Sequence, residues 1–273
     1  MKRLALVVEK DGATRRLLGV LLKRFGFEVD AVSTVAEGLL LLEHVEYDAY
    51  YLDLLGAGGG EVLHWIATHR HAALTRCIVL SGAMPAQLAH VEETWPQVRT
   101  IRKPFELTEI DEVARRMAEL EPVRRSDPAE EFARASVRLG AKAGVALRAR
   151  GNELVPVLSF GYPAGAIAAF QPITLDKPYP LCAAYEHGRP LWLASVKADG
   201  AEFPTLVPVW AQNESRAVAA LPLENGDGVI GAVGWSFREA RVFDDAEREA
   251  FLAVARNIAH ALSDGESRAR SAS

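Results

Sequence analysis

Residues 4 to 18 read LALVVEKDGATRRLL, and this stretch decides the fold of the N-terminal half. The apolar run LALVV predicts a buried strand, and the charged EKD that ends it predicts a turn. Apolar residues then recur at steps of three and four, at Leu17, Leu18, Leu21, Leu22 and Phe25, which predicts an amphipathic helix. Asp11 is expected to cap this helix, which begins near Gly12. The stretch therefore predicts a strand followed closely by a helix.

Length and composition exclude several classes of protein. The 273 residues carry a net charge of −5, and 49% of them are hydrophobic, which favours two soluble domains and argues against nucleic-acid binding. The first apolar run is too short for an export signal, and no stretch approaches a membrane span, so we expect a cytoplasmic protein without membrane insertion. Cys77 and Cys182 lie far apart in the sequence and are predicted to be buried thiols.

The alternation of strand and helix patterns continues to about residue 120. The predicted strands are LALVV (4–8), FEVDAVS (27–33), YDAYYLDL (47–54), CIVLSG (77–82) and VRTIRKP (98–104). Five such units predict an α/β fold with a doubly wound, five-stranded parallel sheet. Glu9 follows the first strand, while Asp53, Ser81 and Lys103 end the third, fourth and fifth. Because ligands bind at the carboxyl ends of such strands, these residues predict one site.

Residues 3 to 120 resemble the receiver domain of bacterial response regulators, through VVEKDGATR, YDAYYLDL, VLSG and IRKPF in that order. The resemblance implies that Asp53 accepts a phosphoryl group from a partner histidine kinase. It also implies that Ser81 contacts the phosphoryl oxygens and that Lys103 pairs with them. A carboxylate nucleophile with a neighbouring cation and hydroxyl suits this chemistry.

Lys10 departs from the receiver pattern. The resemblance implies Mg²⁺ held by Glu9, Asp53 and the backbone carbonyl of Leu55, with a second acid at the position of Lys10. Lys10 makes the predicted pocket neutral, so Mg²⁺ is expected to bind weakly or to be absent. Three interpretations stay open: Lys10 abolishes phosphorylation, replaces the metal as local cation, or neutralises the two carboxylates at rest. The glycine-rich LLGAGGGEV after Asp53 also predicts a flexible loop.

The segment ELEPVRRSDPAEE (119–131) marks a domain boundary. The predicted organisation is a receiver-like domain at 1–120, a linker at 121–128, a second domain at 129–264 and a disordered tail at 265–273. The second domain shows a helix, several strands, a hairpin at Asn225 to Gly228 and a long helix capped by Asp244 or Asp245. This pattern predicts an α+β fold with an antiparallel sheet.

The second half resembles a GAF domain, through HGRPLWLAS, FPTL, RAVAALPL, VIGAVGWSF and RVFDDAERE. The resemblance implies the fold and dimerisation through terminal helices, whereas the ligand is unknown or absent. The aromatic residues that could form either a pocket or the core are Phe170, Tyr179, Trp192, Phe203 and Trp210.

Together these features predict a signalling protein of the two-component response-regulator type, without DNA-binding output or enzymatic activity. It is expected to act through protein partners, including a histidine kinase, to form a homodimer through GAF or receiver helices, and to be switched at Asp53. The alternative is a phosphorylation-independent pseudo-receiver and GAF scaffold that assembles or localises a partner complex.

Overall fold

The chain divides into two compact units, Met1–Ser126 and Asp127–Ser273. A computed structural model describes residues 2–54, 58–82, 85–123, 127–162 and 172–271. The division falls within the segment predicted as a linker.

The first unit alternates strands and helices. Its elements are β1 (Arg3–Val8), α1 (Gly12–Arg24), β2 (Phe27–Val32), α2 (Val35–Leu42), β3 (Ala49–Asp53), α3 (Gly59–His69), a 3-10 helix (His71–Arg76), β4 (Cys77–Ser81), α4 (Pro85–Thr94), β5 (Arg99–Arg102) and α5 (Leu107–Glu119). The strands form one parallel sheet in the order β2-β1-β3-β4-β5, which confirms the predicted doubly wound fold. The strand order reverses between β1 and β3, where such sheets bind ligands.

Helix α1 begins where the sequence predicts. The Thr14 amide donates a hydrogen bond to Asp11 Oδ1 at 2.7 Å, so Asp11 caps the helix. The inward face of α1 buries Leu18, Leu21 and Leu22 against the sheet. The EKD turn therefore ends β1 and starts α1 within three residues.

At the amino-terminal ends of the strands, a buried aspartate links the start of β1 to the segment that follows α5. Asp48 is fully buried, and its two carboxylate oxygens accept the amides of Leu4 at 2.7 Å and Val123 at 2.8 Å. Arg3 donates to the Leu120 carbonyl at 2.7 Å, and Arg76 donates to that of Glu121 at 2.6 Å. The first residues of the predicted linker are thus fixed to the sheet.

We expect Asp48→Ala to lower the free energy of unfolding of the first unit by about 2–3 kcal/mol, because it leaves two amides without their acceptor. Hydrogen exchange at Leu4 and Val123 should accelerate together. The control is Asp111→Ala, since Asp111 faces Arg24 at 3.8 Å in a partly exposed pair and is worth at most about 1 kcal/mol. Equal losses in the two variants would contradict the role given to Asp48.

The second unit is built on an antiparallel sheet. Its elements are α6 (Pro128–Arg138), β6 (Ala143–Arg150), β7 (Glu153–Phe160), β8 (Ile173–Thr174), α7 (Pro180–His187), β9 (Leu191–Leu193), α8 (Val196–Asp199), a 3-10 helix (Gly200–Glu202), α9 (Val207–Gln212), β10 (Ala217–Asn225), β11 (Gly228–Phe237) and α10 (Asp245–Ser271). The sheet order is β8-β7-β6-β11-β10-β9, with every pair antiparallel. This confirms the predicted α+β class.

The ends of two elements refine the sequence predictions. Asn225 pairs with Gly228, so the hairpin turns where the sequence predicts. Asp244 caps α10, because its Oδ1 accepts the Glu247 amide at 2.8 Å. Helix α10 continues to Ser271 and so covers most of the predicted disordered tail, where glutamate, alanine and arginine are good helix formers.

An aromatic cluster joins α10 to the sheet. Phe251 is fully buried, and its ring centroid lies 5.3 Å from that of Trp235, 5.6 Å from Trp192 and 5.8 Å from both Phe237 and Phe243. All four of these ring pairs are edge-to-face, the arrangement that aromatic quadrupoles favour. The closing helix is therefore anchored by one side chain with four aromatic neighbours.

Candidate functional site

Four of the predicted site residues lie at the carboxyl edge of the parallel sheet. Lys103 Nζ is 2.6 Å from Glu9 Oε2 and 3.0 Å from Asp53 Oδ1. Ser81 ends β4, and its backbone carbonyl accepts the Lys103 amide at 2.8 Å. The pairing of Asp53 with Leu80 places Ser81 one residue beyond the strand position beside Asp53. The fold thus positions an acid, a hydroxyl and an ammonium at adjacent strand ends.

The acids of this site are buried, so ion pairs are needed to compensate their charges. Glu9 is 1% exposed, Asp53 is 6% exposed and Ser81 is fully buried. A buried carboxylate is costly unless a partner compensates its charge. Lys103 is such a partner for both acids, and about a quarter of its own side chain reaches solvent.

The electrostatics keep Lys103 charged. Burial alone would lower the pKa of Lys103, but hydrogen bonds and attraction from Glu9 and Asp53 outweigh it and raise the pKa above 10.5. Because the folded value is raised, the stability that the pairs contribute is fully present below pH 10.5 and is lost as the pH rises through the folded value. At neutral pH the cation therefore remains in place.

The three charged side chains of the EKD turn have different roles. Glu9 points inward, and its Oε1 also accepts the Asp11 amide at 3.0 Å. Arg15 donates to the backbone carbonyls of Glu9 at 2.7 Å and Lys10 at 3.0 Å, which fixes the turn. The Lys10 side chain is exposed and, within the part of the chain that the structure describes, forms no ion pair. Hydrogen bonds with Thr14 lower the pKa of Asp11.

The donor set fits a magnesium ion poorly. Mg²⁺ requires oxygen ligands in octahedral geometry. Both available carboxylates, those of Glu9 and Asp53, already pair with an ammonium. Among the residues described, no three His, Cys, Asp or Glu are grouped to hold a metal ion. Leu55, whose carbonyl the resemblance implies as a ligand, lies outside the described residues.

The glycine-rich loop has a packing role that the sequence prediction of flexibility misses. Gly58 adopts a left-handed conformation with φ of 67°. Gly59 begins α3 directly against the end of β3, where an added Cβ would lie 2.5 Å from the Asp53 carbonyl oxygen. Only glycine permits this approach, so Gly59 fixes the backbone that carries Asp53.

We expect Gly59→Ala to destabilise the first unit by about 1–3 kcal/mol, since the methyl group must displace β3 or α3. The neighbouring Gly60→Ala is the control, because its Cβ would meet only Leu54 at an ordinary 3.7 Å. Thermal unfolding of both variants measures the difference. A Gly59→Ala protein as stable as Gly60→Ala would contradict the close packing beside Asp53.

The second unit contains a cavity of about 280 Å³. It lies between the sheet and helices α7 and α9, and its wall includes Tyr162, Tyr179, Trp210 and Trp235. Of the aromatic residues singled out in the sequence, Tyr179 and Trp210 line this cavity. Trp192 packs on Phe251, Phe203 packs edge-on against Trp210, and Phe170 lies outside the described residues.

Sequence reasoning missed several residues of both sites. Arg15 and Gly59 act through backbone contacts, which leave no motif of their own. Tyr162, which follows β7, and Ser236 of β11 both line the cavity because β7, β6 and β11 are neighbours in the sheet. A signal for Gly59 was present in the glycine run that begins α3, a position where alanine would otherwise be favoured.

Comparison with known proteins identifies the second unit. The chain matches the GAF domain family over residues 127–263, just over half of its 273 residues. The chain therefore belongs to the GAF domain family. A search of curated proteins found no match.

Among solved structures, the chain is similar to a GAF domain/HD domain protein from Geobacter sulfurreducens, with 22% identity, 52% of this chain and 95% of that chain covered, and a TM-score of 0.42. The GAF domain of a phosphoenolpyruvate-protein phosphotransferase from Coxiella burnetii gives 13% identity, 52% and 83% coverage and a TM-score of 0.46. The GAF domain of the corresponding phosphotransferase from Acinetobacter is 7% identical, with 52% of this chain and 83% of that chain covered and a TM-score of 0.44.

In the described ranges of the chain, no helix combines the length and apolar character that crossing a bilayer requires.

Proposed function

We propose that the chain is a signal-transduction protein whose first unit is a receiver that accepts a phosphoryl group on Asp53. The observation that carries the proposal is the 3.0 Å pair between Lys103 Nζ and Asp53 Oδ1 at the sheet's switch point. Ser81 ends the neighbouring strand. An ion pair with only a structural role would need neither a neighbouring hydroxyl nor a position at the edge of the sheet where such folds bind ligands.

The chemistry follows from these groups. A carboxylate oxygen of Asp53 attacks the phosphorus of a donor, and a new phosphorus–oxygen bond forms. The bond between phosphorus and the donor breaks, and its electron pair leaves with the donor group. Lys103 stabilises the charge on the phosphoryl oxygens, and the Ser81 hydroxyl donates to one of them. The product adds about −1.5 to −2 charge at the site.

The change in charge supplies a signal. Lys103 divides its attraction between Glu9 and Asp53 at rest, and a phosphoryl group on Asp53 would draw the ammonium away from Glu9. The turn that Glu9 shares with the start of α1 would then lose one of its contacts. We propose that partner proteins bind the altered surface, that a histidine kinase is the donor, and that the protein works as a homodimer in the cytoplasm.

The second unit is proposed to bind a small molecule in its 280 Å³ cavity. The cavity approaches the lower limit of ordinary ligand pockets, which is roughly 300 Å³. Apolar walls with a few hydrogen-bonding groups are also typical of such pockets.

A scaffold that works without phosphorylation is the second candidate function. One observation favours it: Lys103 already satisfies both buried acids, while Lys10 replaces the third carboxylate of the family and faces solvent. In this case the resting surface itself would be the binding surface, and the partner complex would form without a phosphodonor.

Incubation with a small phosphodonor, followed by intact-protein mass spectrometry, tests the choice between the two functions. We expect one phosphoryl group on the wild type, none on Asp53→Asn, and little acceleration by Mg²⁺. Lys10→Asp should be labelled faster and in a Mg²⁺-dependent way, because it restores a third carboxylate. Lys2→Asp is the matched control for the charge change, since Lys2 is also exposed. Labelling of Lys10→Asp alone would favour the scaffold.

A further inference from the structure

The described residues in the wall of the second unit's cavity are all uncharged. Its apolar part includes Val145, Ile173 and Val218, and its polar part consists of hydroxyl and amide groups such as Tyr162 and Asn213. Among the described residues that line it, none is Asp, Glu, Lys, Arg or His. The part of the wall that the structure describes therefore offers hydrogen bonds but no charge partner.

An uncharged wall restricts the ligand. Moving an ion from water into such an environment is costly unless a charge of opposite sign is present. A hydroxyl or an amide can satisfy a neutral polar group with a single hydrogen bond. A neutral ligand with few polar atoms is therefore favoured over an anion of the same shape.

The volume and the aromatic wall limit the ligand further. A cavity of roughly 150 Å³ holds one benzene molecule. The cavity here, at about 280 Å³, is nearly twice as large, and Tyr162, Tyr179 and Trp210 are among the residues that line it. A flat bicyclic molecule fits this space, and its faces can stack on the aromatic rings.

We propose that the GAF cavity binds a neutral, largely apolar ligand of about the size of a bicyclic aromatic ring system, and that it discriminates against anions. The inference rests on the proposed ligand-binding function of the second unit and specifies the chemistry of its ligand.

Helix α9 provides a matched pair of positions for a test. Val209 lines the cavity and is 45% exposed, so a longer side chain there can reach the cavity without filling the core. Val207 lies on the same helix with the same exposure of 45%, but it is not part of the cavity wall. An arginine at either position adds one charge to the surface of α9, and only the one at position 209 adds it to the cavity.

The probes are 2-naphthol, which is neutral at pH 7, and naphthalene-2-sulfonate, which has the same ring system and a negative charge. Isothermal titration of the full-length protein measures both dissociation constants. We expect 2-naphthol to bind at least tenfold more tightly than the sulfonate. Val209→Arg should weaken the binding of 2-naphthol about tenfold and strengthen the binding of the sulfonate. Val207→Arg should leave both affinities within about twofold of the wild-type values.

The other outcomes separate the two levels of the proposal. Wild-type protein that binds the sulfonate as well as 2-naphthol would overturn the ligand class but leave the ligand site standing. If Val207→Arg and Val209→Arg change the probe affinities equally, the probes do not bind in the cavity. If neither probe binds, both the ligand class and the ligand-binding function of the second unit are wrong.

Discussion

Replacing Lys103 with methionine is expected to lower the free energy of unfolding of the first unit by about 3–5 kcal/mol at pH 7. Methionine preserves much of the apolar stem of lysine but removes the ammonium. Glu9 and Asp53, at 2% and 8% side-chain exposure, would then lose the ammonium with which both of them pair. Breaking a buried pair by removing one partner has this cost because the remaining charge is uncompensated.

Urea unfolding of the full-length protein, followed by hydrogen exchange in peptides from each unit, measures the loss. Lys2→Met is the control, because Lys2 faces Glu28 at 4.0 Å with 85% of its side chain exposed. A loss below about 1 kcal/mol for Lys103→Met, or one equal to that of the control, would contradict the role of Lys103.

The second large effect is expected for Phe251→Ala, which should destabilise the second unit by about 3–5 kcal/mol. The substitution removes a fully buried ring and leaves a cavity among Trp192, Trp235, Phe237 and Phe243. Both the lost burial and the cavity contribute to a cost of this size. Loss of the edge-to-face ring contacts adds to it.

Differential scanning calorimetry of the full-length protein measures this change as a lower unfolding temperature for the second unit. Val242→Ala serves as the control, because Val242 is 83% exposed and lies next to Phe243 in the sequence. An unchanged unfolding temperature for Phe251→Ala would show that α10 is not anchored by this cluster.

The sequence predicts most of the first fold because its periodicity changes sharply at each element. The apolar run before Glu9 and the leucine spacing after Asp11 suffice for a strand and a helix. Parallel pairing then brings Asp53, Ser81 and Lys103 to one edge without any further information.

The direction of each charge in the turn is not predictable in the same way. Whether Lys10 or Lys103 neutralises Glu9 depends on backbone geometry that Arg15 fixes through two carbonyl oxygens. The packing of Gly59 on Asp53 likewise depends on where α3 starts, which periodicity defines only within a few residues.

The cavity of the GAF domain is harder still to predict. Its wall combines residues from four strands, β6, β8, β10 and β11, with residues from the two short helices α7 and α9 and the segments beside them. Tyr179 and Trp210 could equally belong to the core by composition. Their role as lining residues follows only from the sheet order and the placement of α7 and α9.

The most direct measurement for the central claim is chemical trapping at Asp53. An acyl phosphate is reduced by borohydride, which converts the aspartate that carried it to homoserine, and peptide mapping then locates the modified residue. Wild-type protein treated with a phosphodonor should yield homoserine at position 53 and at no other aspartate. Recovery of unmodified Asp53, or modification at exposed aspartates in proportion to their exposure, would contradict the claim that this edge of the sheet is a phosphoryl-acceptor site.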